Sequence, residues 1–355
     1  MLTKAFEGSV DYVQVMDENG AIDATQFPKD LADAKILEMY KSMLFARALD
    51  AKSLSLQRQG RAVTYAPLVG EEATQIGTAF AMRKQDFFVP NFRQHGVFLA
   101  RGFPLDSFFV ASRGFEDGNK IPNGFAATPV TVPVGSQMPH AVGMAFAFKY
   151  QGKDAAVVSY VGDGGTSEGE FYEALNFAGV WKVPVVMIIE NNQWAISVPR
   201  RAQTASQTLA QKALAVGIRC VQVDGNDVVA VYKATSEALE NAKEGPTVIE
   251  CVTYRMSMHT TSDDPSRYRS DDEVAEWAKR DPLLRVRTYL LKKGMWNDDL
   301  EKQTSEEQLK QIDEAVDKAE QFKPDPVGMF KNAYSFMPEI LQEESDDAIA
   351  SNFWQ

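Results

Sequence analysis

The sequence predicts an α/β protein with a doubly wound, mostly parallel sheet and helices on both faces. From residue 155 to residue 254, short apolar runs rich in β-branched residues alternate with longer runs of helical period. The short runs are apolar throughout, which is typical of strands buried on both faces of a parallel sheet. Strands that alternate with helices in this way form parallel sheets covered by helices on each side.

The first strand-helix-strand unit spans residues 155–194. It consists of an apolar run, a glycine-rich turn at 162–165, a helical segment and a second apolar run at 183–189. Ser167 and Glu170 are three residues apart, which predicts a capping box at the start of the helix. Because such a crossover joins parallel strands, both strands are expected to end at the same edge of the sheet.

Three regions differ in their pattern. Residues 1–30 are polar and irregular, and we interpret them as an N-terminal arm with at most a short hairpin at Asn19 and Gly20. Residues 31–290 form the α/β domain, and residues 291–355 form a helical C-terminal segment. Predicted strands are 86–90, 155–161, 183–189, 219–223 and 247–254, and predicted helices are 30–59, 71–82, 136–150, 205–216 and 228–242.

The composition is that of a globular protein of 355 residues with a net charge of -12. A strongly negative chain repels the phosphates of nucleic acids and of anionic membranes, so neither is an expected partner. The start has no apolar signal region, and no apolar run reaches about 18 residues, so we expect a cytoplasmic protein without a membrane span. Cys220, Cys251 and His140 are expected in the core.

Two polar residues follow the strands of the first unit, Asp163 after the first strand and Asn192 after the second. We therefore expect a carboxylate and an amide oxygen to converge beside a glycine-rich turn. Such a group suits Mg2+ carrying a diphosphate. A dinucleotide fingerprint would need a third glycine where Ser167 stands, and a Walker loop would need a Gly-Lys-Ser/Thr run that the turn lacks.

The glycine-rich turn and the paired asparagine resemble the thiamine diphosphate motif. The resemblance implies the thiamine diphosphate-binding fold, with cofactor contacts from the four residues of the turn: Gly162, Asp163, Gly164 and Gly165. It also implies that Mg2+ is held by Asp163, Asn192 and the backbone carbonyl of Trp194.

Other segments extend the resemblance over nearly the whole chain. SRGFEDGNKIP, VDGNDVVAVY and YRMSMHTTSDDPSRYRSDDEV are similar to the α subunit of the E1 component of 2-oxo acid dehydrogenase complexes. Transketolases and decarboxylases share the thiamine motif but lack the last of these segments. The family implies an α2β2 heterotetramer with the cofactor between α and β. The glutamate that activates the aminopyrimidine would come from β, and we find no glutamate in an apolar run of this chain suited to that task.

The resemblance assigns roles to individual residues. Arg93 binds the diphosphate, and Phe92 precedes it where most members have tyrosine, so one hydroxyl is missing. Val132 and Val134 contact the aminopyrimidine. His259 reaches the diphosphate, assists acylation of the lipoyl group and is the expected catalytic residue.

The loop at 256–270 carries most of the family's pattern. Its ordering network is implied to comprise Arg255, Asp263, Tyr268 and Arg269. Because the loop has no apolar period, we expect it to be mobile without cofactor and ordered with it, with Arg269 paired to Asp263. Thr260 stands where animal members carry a phosphorylated serine, so kinase control of the animal type is not expected.

The implied activity is thiamine diphosphate-dependent decarboxylation of a 2-oxo acid, with transfer of the acyl group to a lipoyl arm on E2. Pyruvate is the first candidate substrate, because RQGR and GNKIP look most like the bacterial pyruvate members. Branched-chain 2-oxo acids are the alternative, favoured by VDGNDVVAVY and HTTSDD. A hypothesis of another class is a non-catalytic assembly subunit that keeps the fold and binds no cofactor.

Overall fold

A parallel sheet lies at the centre of the computed structural model, which describes residues 1–325, 327–331 and 333–351. The strands are β1 (Asp11–Val13), β2 (Phe87–Val89), β3 (Val157–Gly162), β4 (Val185–Asn191), β5 (Trp194–Ala195), β6 (Val198–Pro199), β7 (Arg219–Asp224) and β8 (Thr247–Val252). Six of them pair in the order β1-β7-β8-β4-β3-β2, every neighbouring pair parallel, while β5 and β6 form a separate antiparallel pair. The predicted mostly parallel sheet is confirmed.

Helices surround the sheet and form most of the C-terminal segment. They are α1 (Asp33–Arg58), α2 (Glu72–Ala81), α3 (His95–Ala100), α4 (Leu105–Ser112), α5 (Gln137–Tyr150), α6 (Gly169–Trp181), α7 (Arg200–Gln203), α8 (Val228–Glu240), α9 (Asp271–Ala278), α10 (Pro282–Lys292), α11 (Asp298–Glu320), α12 (Gly328–Lys331) and α13 (Glu339–Ala350). Short 3₁₀ helices lie at Glu116–Asn119, Gly164–Ser167, Ala210–Val216 and Pro265–Arg267. Residues 352–355 of the predicted C-terminal segment lie outside the described residues.

Alternate residues of the central strands point to opposite faces of the sheet. On β3, Val158 and Tyr160 belong to a core that includes residues of α2, α3 and α8. Val157 and Val161 belong to a second core with α5, α6 and the 3₁₀ helix at 210–216. Because both faces are buried, the strands read as continuous apolar runs, and the predicted doubly wound arrangement is confirmed.

Part of the predicted N-terminal arm joins the sheet, because β1 pairs with β7 at its edge. The turn after β7 anchors the next residues: Asp227 Oδ2 accepts hydrogen bonds from the backbone N–H groups of Val15 (2.7 Å) and Met16 (2.6 Å). Met16 also forms an isolated antiparallel bridge with Ile22 around the predicted hairpin. These contacts fix the chain after β1 to the turn that leads into α8.

The start of α6 differs from the predicted capping box. A 3₁₀ helix fills Gly164–Ser167, and α6 begins only at Gly169. The capping residue is Asp163, whose Oδ1 accepts a hydrogen bond from Gly164 N (2.7 Å). Ser167 Oγ instead lies 2.8 Å from Gln203 Nε2 and accepts from it. The predicted capping box was wrong, because Glu168 occupies the N-cap of α6 without a side-chain hydrogen bond and Asp163 caps the preceding 3₁₀ helix instead.

Three smaller expectations meet mixed outcomes. His140 lies exposed on α5 with its Nδ1 2.7 Å from Ser136 O, so its assignment to the core was wrong. Cys251 is buried as expected, and Cys220 is half-buried near the sheet edge. Among the described residues, none of the helices has the length and apolar character that crossing a membrane requires.

Candidate cofactor site

The carboxyl edge of the sheet gathers the polar residues that the sequence singles out. Asp163 follows β3, Asn192 follows β4, and the backbone N–H of Arg255, beyond β8, donates to Asn192 O (3.2 Å). The turns after β3 and β4 touch closely, because a Cβ added to Gly164 would lie 2.7 Å from Ala195 Cβ. Glycine at 164 therefore lets the two turns approach, as the convergence predicted from sequence requires.

Asp163 carries an unsatisfied buried oxygen. The residue is 2% exposed, and its Oδ2 has no hydrogen-bond partner. Burial raises the pKa of this carboxyl to about 6, although the hydrogen bond from Gly164 and the positive charges of Arg255, Arg200 and Arg93 oppose the rise. Leaving a carboxylate oxygen buried and unpaired is costly. A divalent cation at Oδ2 would remove that cost, so the residue fits a metal ligand.

Asn192 and Trp194 supply two more oxygens beside it. Asn192 is 7% exposed, and its Oδ1 accepts a hydrogen bond from Trp194 N (3.2 Å). The carbonyl of Trp194 accepts one hydrogen bond, from Arg255 Nη1 (3.2 Å). Gln193 between them has φ 74°, a left-handed conformation that is rare for a residue with a side chain. Carboxylate, amide and carbonyl oxygens together form the donor set that Mg2+ prefers.

Arg93 and His259 form a fixed pair at the same edge. Arg93 is 4% exposed, and its Nη2 donates to His259 O (3.0 Å) and lies 3.1 Å from His259 Nδ1. A guanidinium only donates, so Nδ1 accepts and the imidazole proton is on Nε2. Burial, together with Arg93 and Arg255, lowers the pKa of His259 to about 4. The pair therefore presents one charged donor and one neutral donor.

The predicted residues form hydrogen bonds within the loop at 256–270, but Arg269 and Asp263 have other partners than predicted. Arg255 Nη2 donates a hydrogen bond to Tyr268 Oη (2.8 Å). The Tyr268 hydroxyl in turn donates to Asp263 Oδ2 (2.5 Å). Arg269 does not pair with Asp263. It donates to the carbonyls of Met256 (3.0 Å), Ser257 (2.7 Å) and Arg255. Asp263 Oδ2 instead accepts hydrogen bonds from the Tyr268 hydroxyl and from the backbone N–H of His259 (2.8 Å).

The remaining predicted residues lie around this centre. The ring of Phe92 packs edge-on against His259, with centroids 5.7 Å apart. Val132 and Val134 are 68% and 45% exposed, so they are available to a group outside the chain and are not strand core. A cavity of about 420 Å³, mostly apolar, is lined by aromatic residues and opens beside Phe92, Val132 and Thr260.

The turn glycines divide by environment. A Cβ at Gly165 would lie 2.5 Å from Val161 Cγ2 and 3.1 Å from Val134 Cγ1, so glycine is required there for packing. A Cβ at Gly162 would meet nothing within 4 Å. The space beside Gly162 is thus open to a bound group, next to the unpaired oxygen of Asp163.

Several residues of the site were not found from sequence. Glu71 and Glu190 are fully buried or nearly so, and burial raises the pKa of both while Arg93 opposes the rise. Glu190 lies within the apolar strand β4, where a search for acids in apolar runs would have found it. The expectation that no glutamate of this chain activates the aminopyrimidine stays a prediction. Gln203 donates to the carbonyls of Asp163 (2.9 Å) and Gly164 (3.0 Å), and no sequence signal marks it.

The parallel sheet, with helices on both faces and polar residues after its strands at the carboxyl edge, defines the chain as an α/β protein. The sequence profile of the family described as "Dehydrogenase E1 component" matches residues 40–327, and the chain belongs to this family. Its relatives include the "Pyruvate dehydrogenase E1 component subunit alpha" of Staphylococcus aureus and that of Staphylococcus epidermidis. Each is 44% identical over 342 residues, which cover 95% of this chain and 92% of the relative.

Proposed function

We propose that this chain is the α subunit of a pyruvate dehydrogenase E1 component. It acts in the thiamine diphosphate-dependent oxidative decarboxylation of pyruvate, with transfer of the acyl group to the lipoyl group of E2. The relatives at 44% identity carry this name, which favours pyruvate over the branched-chain alternative. The observation that carries the proposal is the buried, unpaired Oδ2 of Asp163 at the carboxyl edge of the sheet, where Asn192 follows the neighbouring strand.

The residues present fit the cofactor and its metal. Mg2+ would be held by Asp163, Asn192 and the carbonyl of Trp194, and the diphosphate would accept hydrogen bonds from Arg93 and His259. Thiamine diphosphate supplies the nucleophilic carbon that adds to the 2-oxo acid carbonyl. The chain's own contribution is to bind and orient, with Val132 and Val134 against the aminopyrimidine and Phe92 beside the diphosphate.

A partner subunit is supported by an exposed aromatic surface on α5 and α6. Trp181 contacts both Phe146 and Phe177, with ring centroids 4.9 and 4.7 Å apart, although each of the three is 38% to 46% exposed. Val180 and Tyr150 extend it at 68% and 85% exposed. A contiguous apolar surface of this kind is typical of a protein interface. We propose that the chain assembles with a β subunit into an α2β2 heterotetramer, which associates with a lipoylated E2. A cytoplasmic location stays a prediction.

We expect the isolated chain to be inactive and to become active with its β partner. The physical reason is that Val132 and Val134 face outward, so the wall opposite them has to come from another chain. Size-exclusion chromatography and a decarboxylation assay on α, β and the mixture test this expectation. Full decarboxylase activity in pure α would contradict it.

Titration of the α/β complex with thiamine diphosphate, with and without Mg2+, tests the proposed function itself. Saturable binding that depends on Mg2+ is expected. A complex that assembles normally but binds no cofactor would instead identify a non-catalytic assembly subunit. Turnover of pyruvate against 3-methyl-2-oxobutanoate separates the two substrate classes.

Restoring the missing hydroxyl should tighten cofactor binding. In Phe92→Tyr the new hydroxyl would lie near Arg93 and the diphosphate, and a hydrogen bond to a charged group contributes about 1.5 to 3 kcal/mol. We therefore expect the Kd for thiamine diphosphate to fall about 10- to 150-fold. Phe336→Tyr, which adds the same hydroxyl to an exposed ring outside the aromatic surface of α5 and α6, is the control. An unchanged or weaker Kd in Phe92→Tyr would refute the assignment of Phe92.

A further inference from the structure

Glu71 is a buried acid at a position where packing alone does not require an acidic side chain. It immediately precedes α2 and is fully buried. The turn before it is pinned, because Gly70 has φ 102° and a Cβ there would lie 2.0 Å from Tyr254 O. The side chain of Glu71 is thus delivered by a rigid turn to the carboxyl edge of the sheet, where Asn192 and Arg93 lie.

One carboxyl oxygen of Glu71 contacts two residues of the proposed site. Oε1 accepts a hydrogen bond from Asn192 Nδ2 (2.8 Å) and lies 3.7 Å from Arg93 Nε. The other oxygen, Oε2, is buried and has no hydrogen-bond partner. The functional contacts of this carboxyl group are therefore concentrated on Oε1.

The contact decides which way the amide of Asn192 faces. A carboxamide can present either its oxygen or its NH2 group to a given direction, and only the oxygen can bind a cation. Nδ2 has hydrogens to donate, and Glu71 Oε1 accepts one of them. On the other side, Trp194 N donates to Oδ1 (3.2 Å). The two contacts together hold Oδ1 away from Glu71 and on the side of Trp194, whose carbonyl is the third proposed ligand.

We propose that Glu71 is a positioning residue that orients the amide of Asn192 as a metal ligand and links it to Arg93. This inference rests on the proposed function. Partners behind a metal ligand fix its orientation and contribute to metal affinity. Through Arg93, which also holds His259, the same carboxyl group connects the metal side of the site with the diphosphate side.

Metal binding, measured apart from turnover, tests the inference. The α/β complex is titrated with Mn2+ at saturating thiamine diphosphate, and free Mn2+ is followed by electron paramagnetic resonance. In Glu71→Ala the acceptor is gone and the amide of Asn192 can rotate, so Mn2+ affinity should fall about 10- to 100-fold. Glu71→Gln keeps an accepting oxygen at the position of Oε1 and places NH2 where Oε2 has no partner. Its Mn2+ affinity should stay within about threefold of wild type.

Asp50→Asn is the matched control for a buried acid. Asp50 is a second buried acid whose charge acts on Arg93, and its Oδ1 accepts from Tyr65 Oη (2.8 Å) and Leu68 N (2.7 Å) rather than from a proposed metal ligand. This variant replaces a buried carboxyl group with an amide, as Glu71→Gln does, and should also bind Mn2+ within about threefold of wild type. Circular dichroism and thermal melting confirm that each variant is folded.

Three results would overturn the inference: wild-type Mn2+ affinity in folded Glu71→Ala, a loss in Glu71→Gln as large as in Glu71→Ala, or a loss in Asp50→Asn as large as in Glu71→Ala. Glu71→Met, of similar volume, replaces the alanine variant if the latter does not fold. If neither Glu71→Ala nor Glu71→Met folds, a tenfold loss of Mn2+ affinity in Glu71→Gln still contradicts the inference. Wild-type complex that binds no Mn2+ in the presence of thiamine diphosphate would overturn the proposed metal site instead.

Discussion

Asp163→Ala is expected to abolish the Mg2+-dependent binding of thiamine diphosphate while the fold and the α/β assembly remain intact. The variant removes the one charged oxygen donor of the proposed set, whose Oδ2 is buried without a partner. Affinity for a hard cation follows the number and charge of its oxygen ligands, so the loss should be at least about 100-fold. Calorimetric titration with the cofactor, in the presence and absence of Mg2+, measures it.

The same change should have little effect on stability. The variant loses the hydrogen bond from Gly164 N to Asp163 Oδ1, and the loss of such a cap costs about 0.5 to 2 kcal/mol. It also removes a buried carboxylate oxygen that has no partner, which offsets part of this cost. Thermal melting without cofactor should therefore show similar midpoints for variant and wild type. With Mg2+ and thiamine diphosphate, only the wild type should gain stability.

Asp154→Ala is a suitable control, because Asp154 lies at the opposite end of β3. It is an exposed acid paired with Lys243 at 2.9 Å. It precedes the amino end of β3, whereas Asp163 follows the carboxyl end. Its removal should leave the cofactor titration unchanged. Cofactor affinity in Asp163→Ala equal to that of wild type would show that the metal assignment is wrong.

The sheet could be predicted from sequence because its strands carry their signal locally. Residues 157–161 and 185–189 are buried on both faces, so each position had to be apolar or small. The convergence of Asp163 and Asn192 followed from that, since parallel strands end at one edge. The details of the turn could not be predicted in the same way. Ser167 does not cap α6 because its hydroxyl accepts a hydrogen bond from Gln203, which lies 36 residues away in sequence.

The polar network behind the site was largely invisible for a similar reason. The partners Glu71 and Asn192 are 121 residues apart in sequence, and Arg93 and His259 are 166 apart. The periodic pattern of apolar residues within a segment carries no information about contacts between residues so far apart. Arg269 shows the limit even inside a short loop. Charge alone suggested an ion pair with Asp263, but the guanidinium fork binds the carbonyls of three successive residues.

The second large effect is expected from His259→Ala, which should impair acyl transfer more than decarboxylation. His259 carries its proton on Nε2, and the loop that holds it is proposed to line the entry for the lipoyl arm. A positioned acid or base contributes about 10²- to 10⁴-fold to a step that it assists. We expect a loss of this order with lipoylated E2, and a much smaller loss with an artificial electron acceptor that needs no lipoyl group.

Limited proteolysis of the same complex tests whether the loop orders with the cofactor. Arg267 is exposed in the loop, whereas Arg255 is fully buried, so trypsin should cut after Arg267 first. The diphosphate would bind His259 and hold the loop down, so cleavage should slow when thiamine diphosphate and Mg2+ are added. In His259→Ala this protection should weaken, while in the control His140→Ala, which changes an exposed histidine on α5, it should persist.

These measurements separate a role in acyl transfer from a role in cofactor binding alone. If His259 only held the diphosphate, saturating thiamine diphosphate would restore both activities of His259→Ala equally. If it serves the lipoyl reaction, the artificial-acceptor activity should recover at saturation and the E2-dependent activity should not. Equal losses in both assays at saturating cofactor would contradict the assigned role, and a loop cut equally fast with and without cofactor would contradict its ordering.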